Sequence, residues 1–421
     1  MTPQTIDLVA AGVFAAALLH TFSTKQFERL AHKMPRHAGL FHLLGEVEVV
    51  FGFWAIVLIV AMALLSGGSQ ALDYAESRNY TEPLFVFVVM VVAGSKPVLQ
   101  AVQYVVDVGV RLMPIPAQVA TAWLGLAVVP LLGSLVTEPA AMTIAALTLA
   151  PVVFRSTLPE APKYLAIGVL FVNVSIGGTL TSYAAPPVLM VASTWNWDSA
   201  FMLSTFGWKA ALAVLVNATV AAFVLRKHLA AAQESVLADL NLAAPVPLSL
   251  VAVHLALLAS VVFMAHHPVA FLGLFLLFLG IAQAYERHQN PLLIKEALLV
   301  AFFLAGLVVL GGLQRWWLQP IVSALEPIAL FFGALGLTAV TDNAALTYLG
   351  SQISGITDQA KYMLVAGAVA GGGLTVIANA PNPAGLALLK RGFADESVGA
   401  GGLFLGALGP TLVAAAAFLL L

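Results

Sequence analysis

Two short stretches place an acidic residue in a chain that is otherwise strongly apolar. Residues 135–143 read LVTEPAAMT and residues 339–347 read AVTDNAALT, so Glu138 and Asp342 occur in the same local setting. A carboxylate near the middle of a bilayer costs about 2.5 to 3.5 kcal/mol on insertion scales. Each acid therefore either binds a cation or proton, or forms a buried ion pair that fixes helix packing.

Each acidic stretch is followed by an apolar stretch that Gly, Thr and Pro interrupt. Residues 177–187 read GGTLTSYAAPP and residues 371–382 read GGGLTVIANAPN. Backbone that is freed at membrane depth must be buried in protein or line a polar cavity, because lipid cannot satisfy it. The candidate ligands, in one cluster around Glu138 and one around Asp342, are Thr137, Glu138, Thr179, Thr181, Thr341, Asp342, Asn343, Thr375 and Asn379.

These side chains and the freed carbonyls are hard oxygen ligands, which suit a hard cation of the size of sodium. Desolvation raises the pKa of a carboxyl group and a bound cation lowers it, so a proton and a cation should compete for each acid. Competition at one alternately exposed site is sufficient for exchange of the two ions. No cofactor is expected beyond the transported Na⁺ and H⁺.

Lys96 is a third charged residue in an apolar run, in AGSKPVLQ near the middle of a predicted span at 83–110. Its ammonium group could neutralise one of the two acids when no cation is bound. Alternatively, it forms a structural ion pair with Glu46, Glu48 or Asp107.

The composition indicates whether the chain folds in water or in a membrane. Of its 421 residues, 61% are hydrophobic and 9% charged, with a mean hydropathy of +0.98, whereas about a quarter of a soluble domain is charged. We therefore predict an all-α polytopic membrane protein. The net charge of −2 and the lack of basic tracts argue against nucleic-acid binding, and the absence of cysteine excludes disulfides, thiolate metal sites and a cysteine nucleophile.

Apolar runs near 20 residues predict the membrane spans. They are 6–22, 38–65, 83–110, 163–193, 205–226, 247–265, 268–285, 293–313, 361–391 and 399–421. The first is interpreted as a retained span, because it has no basic leader or cleavage site. Two further segments, 116–155 and 320–354, are predicted as re-entrant hairpins; the arms of the second reach only about 20 and 16 Å, short of a hydrocarbon core of about 30 Å.

The matched tips and breaks predict two repeats. The first covers residues 1–226, with its hairpin at 116–155 and its broken span at 163–193, and the second covers 247–421, with its hairpin at 320–354 and its broken span at 361–391. A cytoplasmic amphipathic helix at 227–246 joins them. Five spans in each half imply opposite orientations in the membrane. Most of the 18 Lys and Arg residues then lie inside and the N-terminus outside.

The tips and breaks resemble those of the ion transporter superfamily, which includes arsenite permeases and sodium/proton antiporters, and most of all its sodium/proton antiporter group. The resemblance implies exchange of Na⁺ or Li⁺ for H⁺ by an elevator-type movement, a homodimer, and a location in the cell (inner) membrane. Its dicarboxylate symporters carry Ser-Asn-Thr motifs at the hairpin tips. The acids at residues 138 and 342 depart from that motif and favour cations and protons over an anion.

Two alternatives stay open at this point. A cation-coupled symporter or permease for a dicarboxylate or arsenite could use the helix ends at the breaks, although no arginine lies in either tip or break. A membrane-embedded enzyme could use His42, Glu46 and Glu48, but an enzyme is not expected. His20, His32, His37 and His42 could form a metal or pH-sensing site, although histidines at an interface are usually solvated.

Overall fold

The computed structural model describes residues 5–229 and 245–421, and every regular element in these two ranges is helical. The predicted linker helix at 227–246 falls mainly on residues 230–244, which lie outside the described residues. The prediction of an all-α fold is confirmed for the described part of the chain.

The first half contains long helices that alternate with short ones around the predicted tip and break. They are α1 (Thr5–Lys33), α2 (Ala38–Gly45), α3 (Val47–Ser66), α4 (Gly68–Glu76), α5 (Thr81–Ala93), α6 (Lys96–Leu112), α7 (Ala117–Leu126), α8 (Val128–Val136), α9 (Glu138–Leu149), α10 (Glu160–Gly177), α11 (Pro186–Trp195), α12 (Ser199–Met202) and α13 (Trp208–Leu229).

The second half repeats the order of hairpin, broken helix and final helix. Its helices are α14 (Leu248–Phe263), α15 (Pro268–Ala284), α16 (Ile294–Gly311), α17 (Arg315–Ser323), α18 (Pro327–Thr338), α19 (Asn343–Ser351), α20 (Asp358–Gly371), α21 (Asn382–Leu389) and α22 (Ala400–Leu420).

Proline and glycine explain where several of these helices begin and end. Pro139, Pro186 and Pro327 lie in the first turns of α9, α11 and α18, where the missing N–H has no intrahelical partner to lose. The broken helices α10 and α20 end at the Gly pairs 177–178 and 371–372. The positions of the breaks are therefore encoded locally.

Five helical segments are each long and apolar enough to cross a membrane, and two bent pairs raise this number to seven, among the described residues. The prediction of a polytopic membrane protein is confirmed at this level. The predicted span at 83–110 is not one straight helix, because α5 and α6 meet at Gly94–Ser95 with a bend of 65°. Lys96 therefore lies at the first residue of α6 and not within a continuous helix.

Both predicted hairpins consist of short helices that lie against each other. In the first, α7 and α8 are bent by 40° and α8 packs on α9. In the second, α18 packs on α19, and these helices contain 12 and 9 residues. At 1.5 Å per residue neither arm of the second hairpin spans a hydrocarbon core of about 30 Å.

The helices pack in two groups. The helices α1, α3, α5, α14, α15 and α16 contact one another, and the hairpins pack with α10, α11, α13, α20, α21 and α22. Small residues allow close approach in each group: Gly306 of α16 faces the backbone of Phe51 and Gly52, and Gly168 of α10 faces that of Gly406. Both hairpin tips therefore belong to the second group, which contains both breaks.

Candidate functional site

Glu138 lies at the tip of the first hairpin and is fully buried. Its Oε2 accepts a hydrogen bond of 2.8 Å from Nδ2 of Asn379, in the break of the other half. Its Oε1 lies against Gly178, where an added Cβ would be only 2.6 Å away. The glycine at position 178 thus makes room for the carboxylate, and the contact with Asn379 joins two regions that are far apart in sequence.

The residue before Glu138 has an unusual backbone. Thr137 has φ of 103° and ψ of 151°, a region that β-branched residues rarely adopt. Such strain costs on the order of 1 to 3 kcal/mol and occurs mostly at functional sites. The strained residue ends α8 and turns the chain so that α9 begins with the buried glutamate.

Hydroxyl groups connect the first tip to the first break. Ser134 donates from Oγ to the carbonyl of Gly177 over 2.6 Å, and Thr181 donates to the carbonyl of Ser134 over 2.7 Å. Thr179 donates to the carbonyl of Ile176. Because both threonine hydrogens are used in this way, the oxygen lone pairs of Thr179 and Thr181 remain as acceptors.

Asp342 is positioned differently at the second tip. Its Oδ1 accepts from the backbone N–H groups of Ala344, over 2.8 Å, and Ala345, over 3.3 Å, and so caps α19. The next residue, Asn343, is fully buried and points its Nδ2 toward Oγ of Ser175, 3.5 Å away. Thr341 precedes the cap and is partly exposed.

The second break holds two further polar residues. Thr375 donates to the carbonyl of Ala339 over 2.8 Å. Asn382 donates to the carbonyls of Gly372 and Thr375 over 2.8 and 2.9 Å. The sequence prediction missed Asn382, although its position after Pro381 at the end of the broken stretch was a usable signal.

The contacts of the two tips correspond to each other with an offset of one residue from the alignment of their sequences. Equivalent contacts join Gly178 to Glu138 and Gly372 to Asn343. Two further contacts agree with this offset. The hydroxyl of Thr181 donates to the carbonyl of residue 134, and the hydroxyl of Thr375 donates to the carbonyl of residue 339. The structural counterpart of Glu138 is therefore Asn343, and the prediction that Glu138 and Asp342 occupy equivalent positions is wrong.

Several buried oxygens around the tips have no hydrogen-bond donor among the described residues. They are Oγ1 of Thr137, Oε1 of Glu138 and the Oδ1 atoms of Asn343, Asn379 and Asn382. Buried acceptors without a donor are costly, and they are rare in folded proteins. A cation can bind several such oxygens together, and a proton can bind the carboxylate. This set of oxygen ligands therefore suits the binding of either ion.

The remaining candidates lie in the other helix group or near it. Lys96 is buried, with 5% of its surface exposed, at the bend between α5 and α6. Glu46, one of its suggested partners, forms an ion pair of 3.5 Å with Lys295. The role of the Lys96 ammonium as a counter-charge stays a prediction.

Three of the four histidines near the first connection, His20, His32 and His42, make side-chain contacts. His20 accepts from Nε1 of Trp54 at its Nδ1 and lies 2.9 Å from the carbonyl of Leu44 through its Nε2. The rings of His32 and His42 pack edge to face. Across residues 5–229 and 245–421, no group of three or more His, Asp or Glu could hold a metal ion.

Comparison with known proteins identifies a family for the chain. No curated protein matches the chain. A similar solved structure is the YdaH transporter of Alcanivorax borkumensis, at 15% identity and a TM-score of 0.44, with 88% of this chain and 96% of that chain covered. The model of one family, described as "putative Na⁺/H⁺ antiporter", matches residues 5–421. Since that match covers nearly the whole chain, the protein belongs to this family of membrane transporters.

Proposed function

We propose that the protein exchanges Na⁺, or Li⁺, for H⁺ across the membrane. One observation carries this proposal: the carboxylate of Glu138 is buried with a single hydrogen bond, from Asn379, and its second oxygen has no donor among the described residues. A carboxylate in that setting can take up either a proton or a cation, and the two compete. Membership of the family supports the choice of ions.

The neighbouring oxygens explain how a cation would be held after losing its water. The proposed ligands are hard oxygens: the amide oxygens of Asn379, Asn343 and Asn382 and the threonine oxygens at the breaks. The hydroxyl hydrogens of Thr179 and Thr181 bond backbone carbonyls, so the oxygen lone pairs can face the ion. The proposed cation sites are accordingly one around Glu138 and a second around Asn343 and Asp342. In the second site Asp342 contributes its charge and its second carboxylate oxygen, since its Oδ1 is already bonded to α19.

The packing of the helices supports an elevator-type movement. Both tips and both breaks belong to one group of helices, which meets the group of α1, α3, α5, α14, α15 and α16 along α5 and α16, and α6 contacts both groups. In this proposal the tip-bearing group moves across the membrane against the other group, which dimerises. The two halves are inverted repeats, and the protein lies in the inner membrane with its N-terminus outside.

The test uses purified protein in liposomes that contain a pH-sensitive dye. Addition of Na⁺ or Li⁺ is expected to move protons in the opposite direction, and Glu138→Gln to stop this movement. Glu286→Gln is a matched control, because Glu286 is an exposed acid after α15. If no cation moves protons although folded protein is present, exchange is wrong, and cation-driven uptake of a labelled dicarboxylate or arsenite would support symport instead.

A further inference from the structure

Tyr183, in the first break, lines three cavities. The largest is a vestibule of about 650 Å³. Its polar lining includes Thr81, Glu82, Ser182, Ser193, Asp198 and His266. Ser193, Asp198 and His266 are exposed at its rim, whereas Ser182 and Tyr183 are half-buried. The vestibule therefore leads from the surface to the first break.

A second, very small cavity lies on the inner side of Tyr183. Its volume is about 10 Å³, which is near the space that one water molecule requires. Thr137 and Pro139, the residues on either side of Glu138, line it together with Tyr183 and Ala184. Tyr183 is thus shared by the outer vestibule and by the pocket at the hairpin tip.

Apolar groups surround the ring of Tyr183 on its other sides. Phe85 of α5 packs edge to face against it, with 6.5 Å between ring centroids. The third cavity, of about 490 Å³, is almost entirely apolar and joins Tyr183 to Val262 and Phe263 of α14. Tyr183 therefore stands between the vestibule and the residues on either side of Glu138.

We propose that Tyr183 is the gate between this vestibule and the ion site at Glu138, so that the vestibule is the entry path on that face of the protein. This proposal rests on the proposed exchange and specifies its route. The phenol side chain belongs to the tip-bearing helix group, packs against Phe85 of α5 and lines a cavity together with Val262 and Phe263 of α14, and both helices belong to the other group. A displacement of one group against the other would move the ring and open or close the path.

The second half has no comparable side chain at this place. The contacts that relate the two breaks match Thr181 to Thr375, so Ile377 and Ala378 correspond to Tyr183 and Ala184. This difference provides a matched control in the same molecule.

The natural chain contains no cysteine, so single cysteines report accessibility without background labelling. The experiment measures the rate at which a charged methanethiosulfonate reagent labels Ser193→Cys at the rim and Ala184→Cys behind Tyr183, in nanodiscs that leave both faces open. Ala184 has 3% of its surface exposed, so its labelling reports the open state of the path. Each variant is checked for folding by size-exclusion chromatography.

We expect Ser193→Cys to react fast and Ala184→Cys to react at least about tenfold more slowly, since labelling of a closed site follows the population of the open state. Adding Tyr183→Ala should bring the rate at residue 184 close to that at the rim, whereas Tyr183→Phe should leave it slow. The control pair Ile377→Ala with Ala378→Cys should label as slowly as Ala378→Cys alone.

Fast labelling of Ala184→Cys with Tyr183 in place would overturn the gate, and so would slow labelling that Tyr183→Ala does not change. If Tyr183→Ala does not fold, Tyr183→Val takes its place with the same expectations. The labelling requires no transport. If Tyr183→Ala speeds the labelling of residue 184 but no ion exchange is found, the proposed function is refuted and the gate is kept. If exchange is found but Tyr183→Ala does not change the labelling, only the gate is refuted.

Discussion

The two hairpin tips have similar sequences but position their acids differently. At the first tip the acid itself, Glu138, is the buried residue that faces the break and contacts Asn379. At the second tip Asn343 takes that place, and the acid stands one residue earlier and caps α19. A match of letters thus points to both tips, yet the structural settings of their acids differ.

The difference has a physical origin in how each second helix begins. In the first hairpin the capping position is occupied by Thr137, whose side chain accepts no capping hydrogen bond and whose φ is positive. In the second hairpin Asp342 has ordinary extended dihedral angles and accepts two backbone N–H groups. An aspartate is a strong N-cap, so α19 begins directly after it and Asn343 turns inward.

The largest difference between the two tips is expected in the exchange rates of their variants. Glu138→Gln is expected to lower the exchange rate at least about 100-fold, as for removal of a proton-carrying group, because the amide keeps the size of the side chain but loses its charge and its proton. Asp342→Asn should cause a smaller loss, because Asp342 caps α19 and does not face the break. The rates are measured in dye-loaded liposomes, and equal losses would mean that both acids bind the transported ions in the same way.

A second effect concerns the contact between the halves. Asn379→Ala removes the hydrogen bond to Glu138, and a hydrogen bond to a charged group contributes about 1.5 to 3 kcal/mol. Because Asn379→Ala also removes Oδ1, a proposed ligand of the cation, the apparent affinity for Na⁺ should weaken about tenfold or more. Asn217→Ala is the control, because buried Asn217 bonds Asn173 and Pro410 outside the tips. An unchanged Na⁺ dependence in Asn379→Ala would exclude Asn379 from the ion site.

A third effect is on stability at the second tip. Asp342→Ala should lower the free energy of unfolding by about 1 kcal/mol through loss of the helix cap, whereas Asp342→Asn should keep most of it, because both Asp and Asn are good caps. Thermal unfolding in detergent compares the two variants. If Asp342→Asn destabilises the protein as much as Asp342→Ala, the charge of Asp342 matters more than its hydrogen bonds to residues 344 and 345.

The smallest effect is expected at the strained residue of the first tip. Strain of about 1 to 3 kcal/mol at Thr137 should exceed the cost of about 0.5 to 1 kcal/mol for the flexibility of glycine, so Thr137→Gly should raise the melting temperature slightly. The same change at Thr143, inside α9, should lower stability by roughly 0.3 kcal/mol, because Gly is about 1 kcal/mol and Thr about 0.7 kcal/mol less favourable than Ala in a helix. A lower melting temperature for Thr137→Gly would show that this backbone is not strained in the folded protein.

Much of the fold was predictable, because its signals are local. Apolar runs indicated the helices, and the Gly pair at 177–178 and Pro186 marked the first break. The bend at Gly94–Ser95 was missed, since this Gly-Ser pair within an apolar run was not recognised as a break, and Lys96 was placed in the wrong context as a result.

The sequence by itself determined that this chain is a membrane protein with two hairpins and two broken helices, because hydropathy and backbone preference act over a few residues. Only the tertiary structure decided that Glu138 meets Asn379, 241 residues away, and that Asn343 rather than Asp342 is its counterpart. Such choices depend on how each helix is capped and rotated against its neighbours, and a rotation by one residue exchanges the side chain that is buried for the one that caps the helix.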